Sequence, residues 1–133
     1  MREILFRGKV KNTNEWQYGD LRHWTKKSVG IHHQELYTTL RVIPETVGQY
    51  TGLTANGKKI FEGDIVKYKN TDGIKFNGVA LTVIGKVVYN EKNASFAVSG
   101  KDEIGAKHYD YFPIKNIEVV GNIHDNPELL EVK

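Results

Sequence analysis

The fold class is indicated most clearly by Val42-Ile43-Pro44-Glu45-Thr46-Val47-Gly48-Gln49-Tyr50-Thr51-Gly52-Leu53, followed by Asn56-Gly57-Lys58-Lys59-Ile60-Phe61-Glu62-Gly63-Asp64-Ile65-Val66. This stretch places turn signals between short apolar runs. Pro44 lacks a backbone donor and ends a strand. Asn56-Gly57 predicts a tight hairpin because both residues tolerate positive φ, and Glu62-Gly63-Asp64 predicts a second turn. The pattern is typical of an all-β protein with short meanders.

Outside this stretch the dominant hydrophobic period is also two. Residues 79–89 show it most clearly, since their odd positions are Val79, Leu81, Val83, Gly85, Val87 and Tyr89. This alternation predicts a strand with one buried face. Gly85, near the centre, predicts a bend that lets the strand serve two sheets.

Weaker patterns complete the assignment. An N-terminal strand is predicted with Ile4, Phe6 and Val10 on one face and Arg7 and Lys9 on a wet face. Other strands are predicted at residues 36–42, 65–69, 95–98 and 117–123, with hairpin tips at 70–73 and 90–93. Helix is limited to single turns at 44–47 and 127–130, each starting at a proline.

These elements predict an all-β fold, in which a small, strongly bent sheet forms one or two SH3-like, partly open barrels with minimal helix. A chain of 133 residues is expected to be a single domain, 1–133. Residues 48–57 offer an alternative division into an N-terminal subdomain, 1–53, and a C-terminal barrel, 54–133.

Composition excludes several classes of function. The chain has no cysteine, which removes disulfide frameworks, thiol catalysis and the usual structural zinc site. No apolar run approaches the roughly 18 residues of a membrane span, and no secretory signal is recognisable, so we expect a soluble, cytoplasmic protein. The net charge of +3 permits an acidic partner without requiring one.

Two segments are candidate binding surfaces. Gln49 and Tyr50 lie between two glycines; they either present side chains to a ligand, or Tyr50 fills the core while the glycines supply special backbone angles. Lys67 and Lys69 flank Tyr68 and share one strand face. That face suits nucleic acid, whereas lysines also keep edge strands from pairing with other chains.

A third candidate is the aromatic run that contains Tyr109 and Tyr111, which either packs in the core or anchors an interface.

Catalytic and metal-ligand patterns are missing from the sequence. His32 and His33 would point to opposite faces of a strand, and Asp64 is expected to accept a backbone N–H at its turn. We therefore expect no cofactor, no metal and no enzymatic activity.

Several blocks together resemble a known family. They are Phe6-Arg7-Gly8-Lys9, Trp16-Gln17-Tyr18-Gly19-Asp20-Leu21, residues 42–53, residues 60–66, and the tail Ile117-Glu118-Val119-Val120-Gly121-Asn122-Ile123 with Asn126-Pro127-Glu128-Leu129-Leu130. In this order they resemble the YopX family of small proteins from bacteriophages and prophages of Gram-positive bacteria. The resemblance implies a mostly β fold and a phage or prophage origin, and it implies no reaction.

The expected function is a non-enzymatic binding module that acts as a phage accessory factor. Its partner would be a host or phage protein, or a second copy of the chain. The alternative is a small β-barrel that binds nucleic acid, which salt dependence would distinguish from an apolar protein interface.

Overall fold

The computed structural model describes residues 2–76 and 78–131, with the backbone alone for residues 72–76. The strands are, in chain order, β1 (Phe6–Lys9), β2 (Trp16–Thr25), β3 (Ser28–His32), β4 (Thr39–Val42), β5 (Gly48–Ala55), β6 (Lys58–Phe61), β7 (Asp64–Phe76), β8 (Val79–Asn90), β9 (Ser95–Asp102), β10 (Lys107–Tyr111) and β11 (Glu118–Asn122). Helix in these ranges is confined to the 3₁₀ turns Pro44–Thr46 and Pro127–Leu130. None of the described helices is long and apolar enough to cross a membrane.

The chain divides by its internal contacts into two compact units, Met1–Gly52 and Leu53–Lys133. Strand β5 crosses this boundary, with β1 and β6 as its neighbours. The turn between β5 and β6 is the predicted Asn56-Gly57 hairpin, in which Asn56 has φ 51° and Gly57 has φ 78°. Positive φ at both positions matches the right-handed twist of the flanking strands.

In the N-terminal unit the strands are ordered β4-β3-β2-β1-β5 and pair antiparallel. Val29, Ile31 and Val42 form a buried cluster on one face. The wet face predicted for Arg7 is wrong, because Arg7 is only 6% exposed. Its guanidinium carbon lies 4.6 Å from the Trp16 ring centroid, so the aromatic ring covers the cation.

The strand predicted at residues 36–42 is shorter than expected, since β4 begins at Thr39 and Leu36 is exposed. The cause is a capped turn. The Nδ1 atom of His33 accepts the backbone N–H groups of Glu35 (3.2 Å) and Leu36 (3.0 Å). A side chain that captures local backbone donors competes with the strand ladder.

In the C-terminal unit the strands are ordered β10-β9-β8-β7-β11. The odd-numbered face of β8 is buried from Leu81 to Val87, as the alternation predicts. Strand β8 belongs to this sheet alone, so the expectation that it serves two sheets is wrong. The hairpin tip predicted at 70–73 is also wrong, because β7 continues past a register shift and pairs Phe76 with Val79.

The all-β prediction with minimal helix is confirmed. The described strands form two antiparallel sheets, of six and five strands, and both remain open. The turn before β7 is also confirmed, since Asp64 is buried and its Oδ2 accepts the Phe61 N–H at 2.7 Å.

Candidate functional site

Two glycines on neighbouring strands bend the sheet of the C-terminal unit. Gly85 of β8 pairs with Gly100 of β9, which in turn pairs with His108 of β10. A methyl group on Gly85 would lie 2.6 Å from the Ser99 carbonyl oxygen, and one on Gly100 would lie 2.4 Å from the Ile84 carbonyl oxygen. Because neither position has a side chain, β8 and β9 approach closely and the sheet curls there.

The curl brings together side chains of β7 and β10, which are not neighbours in the sheet. The Tyr68 hydroxyl donates to Oδ2 of Asp110. Nδ2 of Asn70 lies 3.0 Å from Nδ1 of His108. The registers of β7 with β8, β8 with β9 and β9 with β10 place all four residues on the inner face. These two contacts fasten the inner faces of β7 and β10 to one another.

Asp102 anchors the other side of the imidazole. Its Oδ2 lies 2.8 Å from Nε2 of His108, and its Oδ1 accepts the backbone N–H groups of Ala106 (2.9 Å) and Ile104 (3.0 Å). The bond from His108 and these backbone donors hold the pKa of the Asp102 carboxyl below its ordinary value. Burial, together with the bond and the charge of Asp110, raises the pKa of Tyr68 above its ordinary range.

The imidazole of His108 has no hydroxyl, thiol or amine among its bonded partners in the described residues. In the described part of the chain the imidazole of His108 bonds only Asp102 and Asn70, with Asp110 at 3.9 Å from Nδ1. Nucleophilic catalysis needs a hydroxyl, thiol or amine within reach of the base. Groups of three or more His, Asp or Glu side chains that could hold a metal are not found among the described residues.

Beside this polar group lies an open cleft of about 730 Å³ between β7, the end of β10 and the loop that leads to β11. Its volume falls within the roughly 300–1,000 Å³ of ligand sites. Strand β7 lines one wall and residues 110–116 line much of the other. The lining side chains include Lys67, Lys69, Asp110, Tyr111, Ile114, Lys115 and Glu118.

The backbone of β7 is exposed along this cleft. In an antiparallel strand, successive peptide groups point alternately to the two neighbouring strands. Directly before β7 the backbone is irregular, since the Gly63 N–H donates to Val87 of β8 and the Gly63 carbonyl accepts from Ile123, each at 2.9 Å. Within β7, odd-numbered residues point toward β11, as the pair of Lys69 with Thr82 shows. Strand β11 pairs only as far as Lys67, opposite Glu118. The next odd-numbered residue is Lys69, and its peptide groups therefore face the cleft.

The direction of these peptide groups follows from a hydrogen bond on the far side of β8. Lys69 pairs with Thr82 of β8, and the Thr82 N–H donates away from β7, to Oε1 of Glu103, at 2.7 Å. Lys69 and Thr82 are thus a pair that exchanges no hydrogen bonds. At the end of β9, Asp102 N donates to the carbonyl of Ala106, directly before β10, at 2.9 Å, so even-numbered residues of β10 face β9. Tyr109 and Tyr111 then present their peptide groups to the outer edge.

The structure brings together several of the residues selected from the sequence. Lys67, Lys69 and Tyr111 line the cleft, and Lys67 Nζ lies 3.5 Å from Oε1 of Glu118. Tyr109 lies next to the cleft, with its ring 5.5 Å from that of Tyr111 in an edge-to-face arrangement. Both tyrosines are almost half exposed, so of the two predicted roles for this run, core packing does not apply to them.

Gln49 and Tyr50 belong to the N-terminal unit. Tyr50 is 8% exposed, and its burial favours the core-filling alternative. Of the two flanking glycines, Gly52 has the left-handed φ of 89°, whereas Gly48 does not show the special angle expected. His32 is half buried at the end of β3, and its Nδ1 lies 2.7 Å from the Thr39 hydroxyl.

Sequence reasoning missed the polar group of Asn70, Asp102, His108 and Asp110. The sequence does contain a pattern with a period of two that includes these residues. Val98, Gly100 and Asp102 share one face of β9, and His108 and Asp110 share one face of β10. The register that aligns these faces depends on the turn between β9 and β10, in which Asp102 itself bonds the backbone.

The fold and the cleft define a class: small all-β proteins with open antiparallel sheets and an exposed strand edge in a ligand-sized groove. A family model described as YopX protein matches residues 5–131, and the chain belongs to this family. The family resemblance inferred from the sequence is therefore confirmed. No curated protein and no solved structure matches the chain.

Proposed function

We propose that the protein is a non-enzymatic binding module that recognises an extended segment of a host or phage protein at the cleft of the C-terminal unit. The observation that carries this proposal is the direction of the Lys69 peptide groups, which face the cleft beyond the end of β11. An exposed strand edge is a template for pairing with another chain. A partner strand that pairs there would extend the sheet, as in peptide recognition by β-augmentation.

The side chains of the cleft suit a peptide of mixed character. Tyr111 and Ile114 offer apolar surface, while Lys67, Lys69 and Lys115 offer cations. In strand addition, backbone bonds supply affinity and alternate side chains supply specificity. We therefore expect a partner segment in which every second residue is apolar and at least one is acidic.

The charge of the cleft favours protein over nucleic acid at this site. Asp110 and Glu118 lie among the lysines, and Glu118 is close enough to Lys67 for an ion pair. Carboxylates in a groove repel phosphates, and proteins that bind single strands use grooves of one sign. A second copy of the chain is the other protein partner that the exposed edge admits.

The proposal also includes the place where the protein acts. Membership of the YopX family, together with the phage and prophage origin that the sequence resemblance implies, supports an accessory factor that acts in the cytoplasm of an infected or lysogenic bacterium. A binding role, rather than catalysis, is supported by the bonds of His108, which join β7, β9 and β10 and include no nucleophile among the described residues.

The test is a selection of random short peptides from a display library on the intact protein, followed by affinity measurements on two variants. Lys69→Pro removes one outward N–H, and an edge strand tolerates proline where that N–H faces outward. Lys69→Ala is the matched control, since it keeps the N–H and removes the charge. Lys69→Pro should weaken the affinity for the selected peptide about tenfold, because it removes a backbone hydrogen bond and disturbs the fit of the added strand.

The proposal predicts that Lys69→Pro weakens the selected peptide at least three times more than Lys69→Ala does, while both variants keep the wild-type unfolding midpoint. Equal binding by Lys69→Pro and the wild type would exclude strand pairing at β7. Enrichment of no peptide, with recovery of only nucleic acid at this cleft, would exclude the protein partner. Concentration-dependent dimerisation blocked by Lys69→Pro would identify the second copy as the partner.

A further inference from the structure

The outer face of the sheet in the N-terminal unit carries exposed arginines in one row. Arg22 of β2 and Arg41 of β4 both pair with Gly30 of β3. Adjacent strands lie roughly 4.8 Å apart, so the two arginine Cα atoms are about 10 Å apart. Val29 and Ile31, on either side of Gly30, are buried, so the Gly30 row lies on the opposite, outer face.

An aromatic ring covers the gap between these arginines. A methyl group on Gly30 would lie 2.8 Å from Cη2 of Trp24, so the indole lies over the glycine. The Arg41 guanidinium carbon is 5.4 Å from the Trp24 ring centroid, a cation–π distance. The register of β2 with β3 shifts between His23 and Thr25, and such a bulge redirects the side chain that it contains. Trp24 is nevertheless 53% exposed.

A second aromatic pair continues this face. His32 lies two residues beyond Gly30 on β3 and therefore on the same face. Its ring centroid is 6.5 Å from that of Tyr37, edge to face, and Tyr37 is 84% exposed. We call these five residues the arginine–aromatic face: Arg22, Trp24, His32, Tyr37 and Arg41.

The charge of this face is unbalanced. The nearby turn adds Lys26 and Lys27, both exposed. Asp20 pairs with His32 and so lies on the same face, two residues from Arg22, and its Oδ1 accepts the Gln34 side-chain amide at 2.8 Å. The two arginines outnumber this carboxylate. Neither Arg22 nor Arg41 has an ion-pair partner among the described residues. Two guanidinium groups without an ion-pair partner in the described part of the chain, beside a half-exposed indole, are the features of a surface that holds phosphates and stacks a base.

We infer that the arginine–aromatic face binds single-stranded nucleic acid, with phosphates on Arg22 and Arg41 and a base stacked on Trp24. A single strand fits better than a duplex because only unpaired bases offer their faces for stacking. Protein is the less suitable ligand for this surface because its cations have no apolar pocket around them, whereas hot-spot anchors fill desolvated pockets. This site lies in the other unit and does not rest on the proposed peptide cleft.

The experiment titrates the intact protein with a fluorescently labelled oligothymidylate of about 12 nucleotides, within the range of single-strand site sizes, at about 50 and 200 mM salt. The variants are Trp24→Ala, Trp24→Phe and the double variant Arg22→Ala/Arg41→Ala. Arg2→Ala is the matched control, because Arg2 is exposed and lies outside the face. Circular dichroism and unfolding midpoints establish that each variant is folded.

Two phosphate contacts predict a slope of roughly −1.4 in log affinity against log salt, which is about sevenfold between these concentrations. Trp24→Ala should weaken binding about fivefold or more, Trp24→Phe less, and the double variant should flatten the slope. Arg2→Ala should bind as the wild type does. Lack of binding at 50 mM salt, or binding that none of the face variants weakens, would overturn the inference. It would also be overturned if the face variants abolished binding of a cleft-selected peptide and left the oligonucleotide unaffected.

Discussion

Asp102 illustrates how a carboxylate stays charged on the inner face of a sheet. It is 7% exposed, yet its oxygens accept from the His108 ring and from the backbone at residues 104 and 106. Buried polar groups persist when they are fully hydrogen-bonded. Oδ1 of Asp102 holds the turn between β9 and β10, and its Oδ2 fixes the His108 ring that reaches Asn70 on β7.

Replacement of Asp102 by Asn should destabilise the protein at neutral pH and matter little in acid. The folded-state pKa of Asp102 is lowered, so its stabilisation is complete above the ordinary value of about 3.9 and is lost as pH falls through the folded value. Urea denaturation of both proteins between about pH 7 and 2.5 measures this. A difference in unfolding free energy that stayed constant, or grew toward low pH, would contradict the assignment.

Tyr68 should resist ionisation. Burial, then the bond and charge of Asp110, raise its pKa, so its contribution to stability is present below the ordinary value of about 10 and is lost as pH rises through the folded value. The difference in tyrosinate absorbance between the wild type and Tyr68→Phe isolates this phenol. We expect no difference signal up to about pH 11 in the folded protein, and one centred near 10 in denaturant. A folded-state signal near 10 would mean that Tyr68 is solvated.

At the scale of elements, β8 and β9 decide the shape of the C-terminal sheet. The sequence alone predicts the strand at residues 79–89 and the bend at Gly85, because alternation and a central glycine are local signals. It does not predict β10, or the partnership of Gly85 with Gly100, since cross-strand register depends on turn geometry that single residues do not reveal. The hairpin tip at 70–73 was wrong because turn-forming residues there lie within a longer, irregular strand.

Gly85→Ala should destabilise the C-terminal unit. The added methyl group would lie 2.6 Å from a backbone oxygen of β9 and 2.7 Å from the Gly100 Cα, and neither is a flexible side chain. Overpacking of this kind costs typically 1–3 kcal/mol. Chemical denaturation gives the value. A variant as stable as the wild type would mean that β8 and β9 are not in close contact at this row.

The register of β8 can be tested with two aspartates. Val87 is 1% exposed and Lys86 is exposed. Val87→Asp would bury an unpaired carboxylate and cost several kcal/mol, a large share of the roughly 5–15 available, whereas Lys86→Asp should cost less than about 0.5. Equal unfolding free energies for the two variants would contradict this register of β8.

At the scale of the molecule, each unit carries one proposed binding surface. The C-terminal unit has the cleft at an open strand edge, and the N-terminal unit has the arginine–aromatic face on an outer sheet surface. Sequence reasoning selected Lys67, Lys69, Tyr109 and Tyr111 because lysines and aromatics on strands are local signals. It could not select the Arg22–Gly30–Arg41 row, because these residues are far apart along the chain and are aligned only by the pairing of three strands.

The peptide groups of Lys69 are proposed to form a free edge to which a partner strand binds. Amide hydrogen exchange measured by NMR tests this proposal most directly. Tyr68 and Asn70 face β8 and should exchange slowly, while the Lys69 amide between them should exchange rapidly and become protected when a selected peptide binds. Slow exchange of the Lys69 amide in the free protein, or no added protection in the complex, would contradict the account.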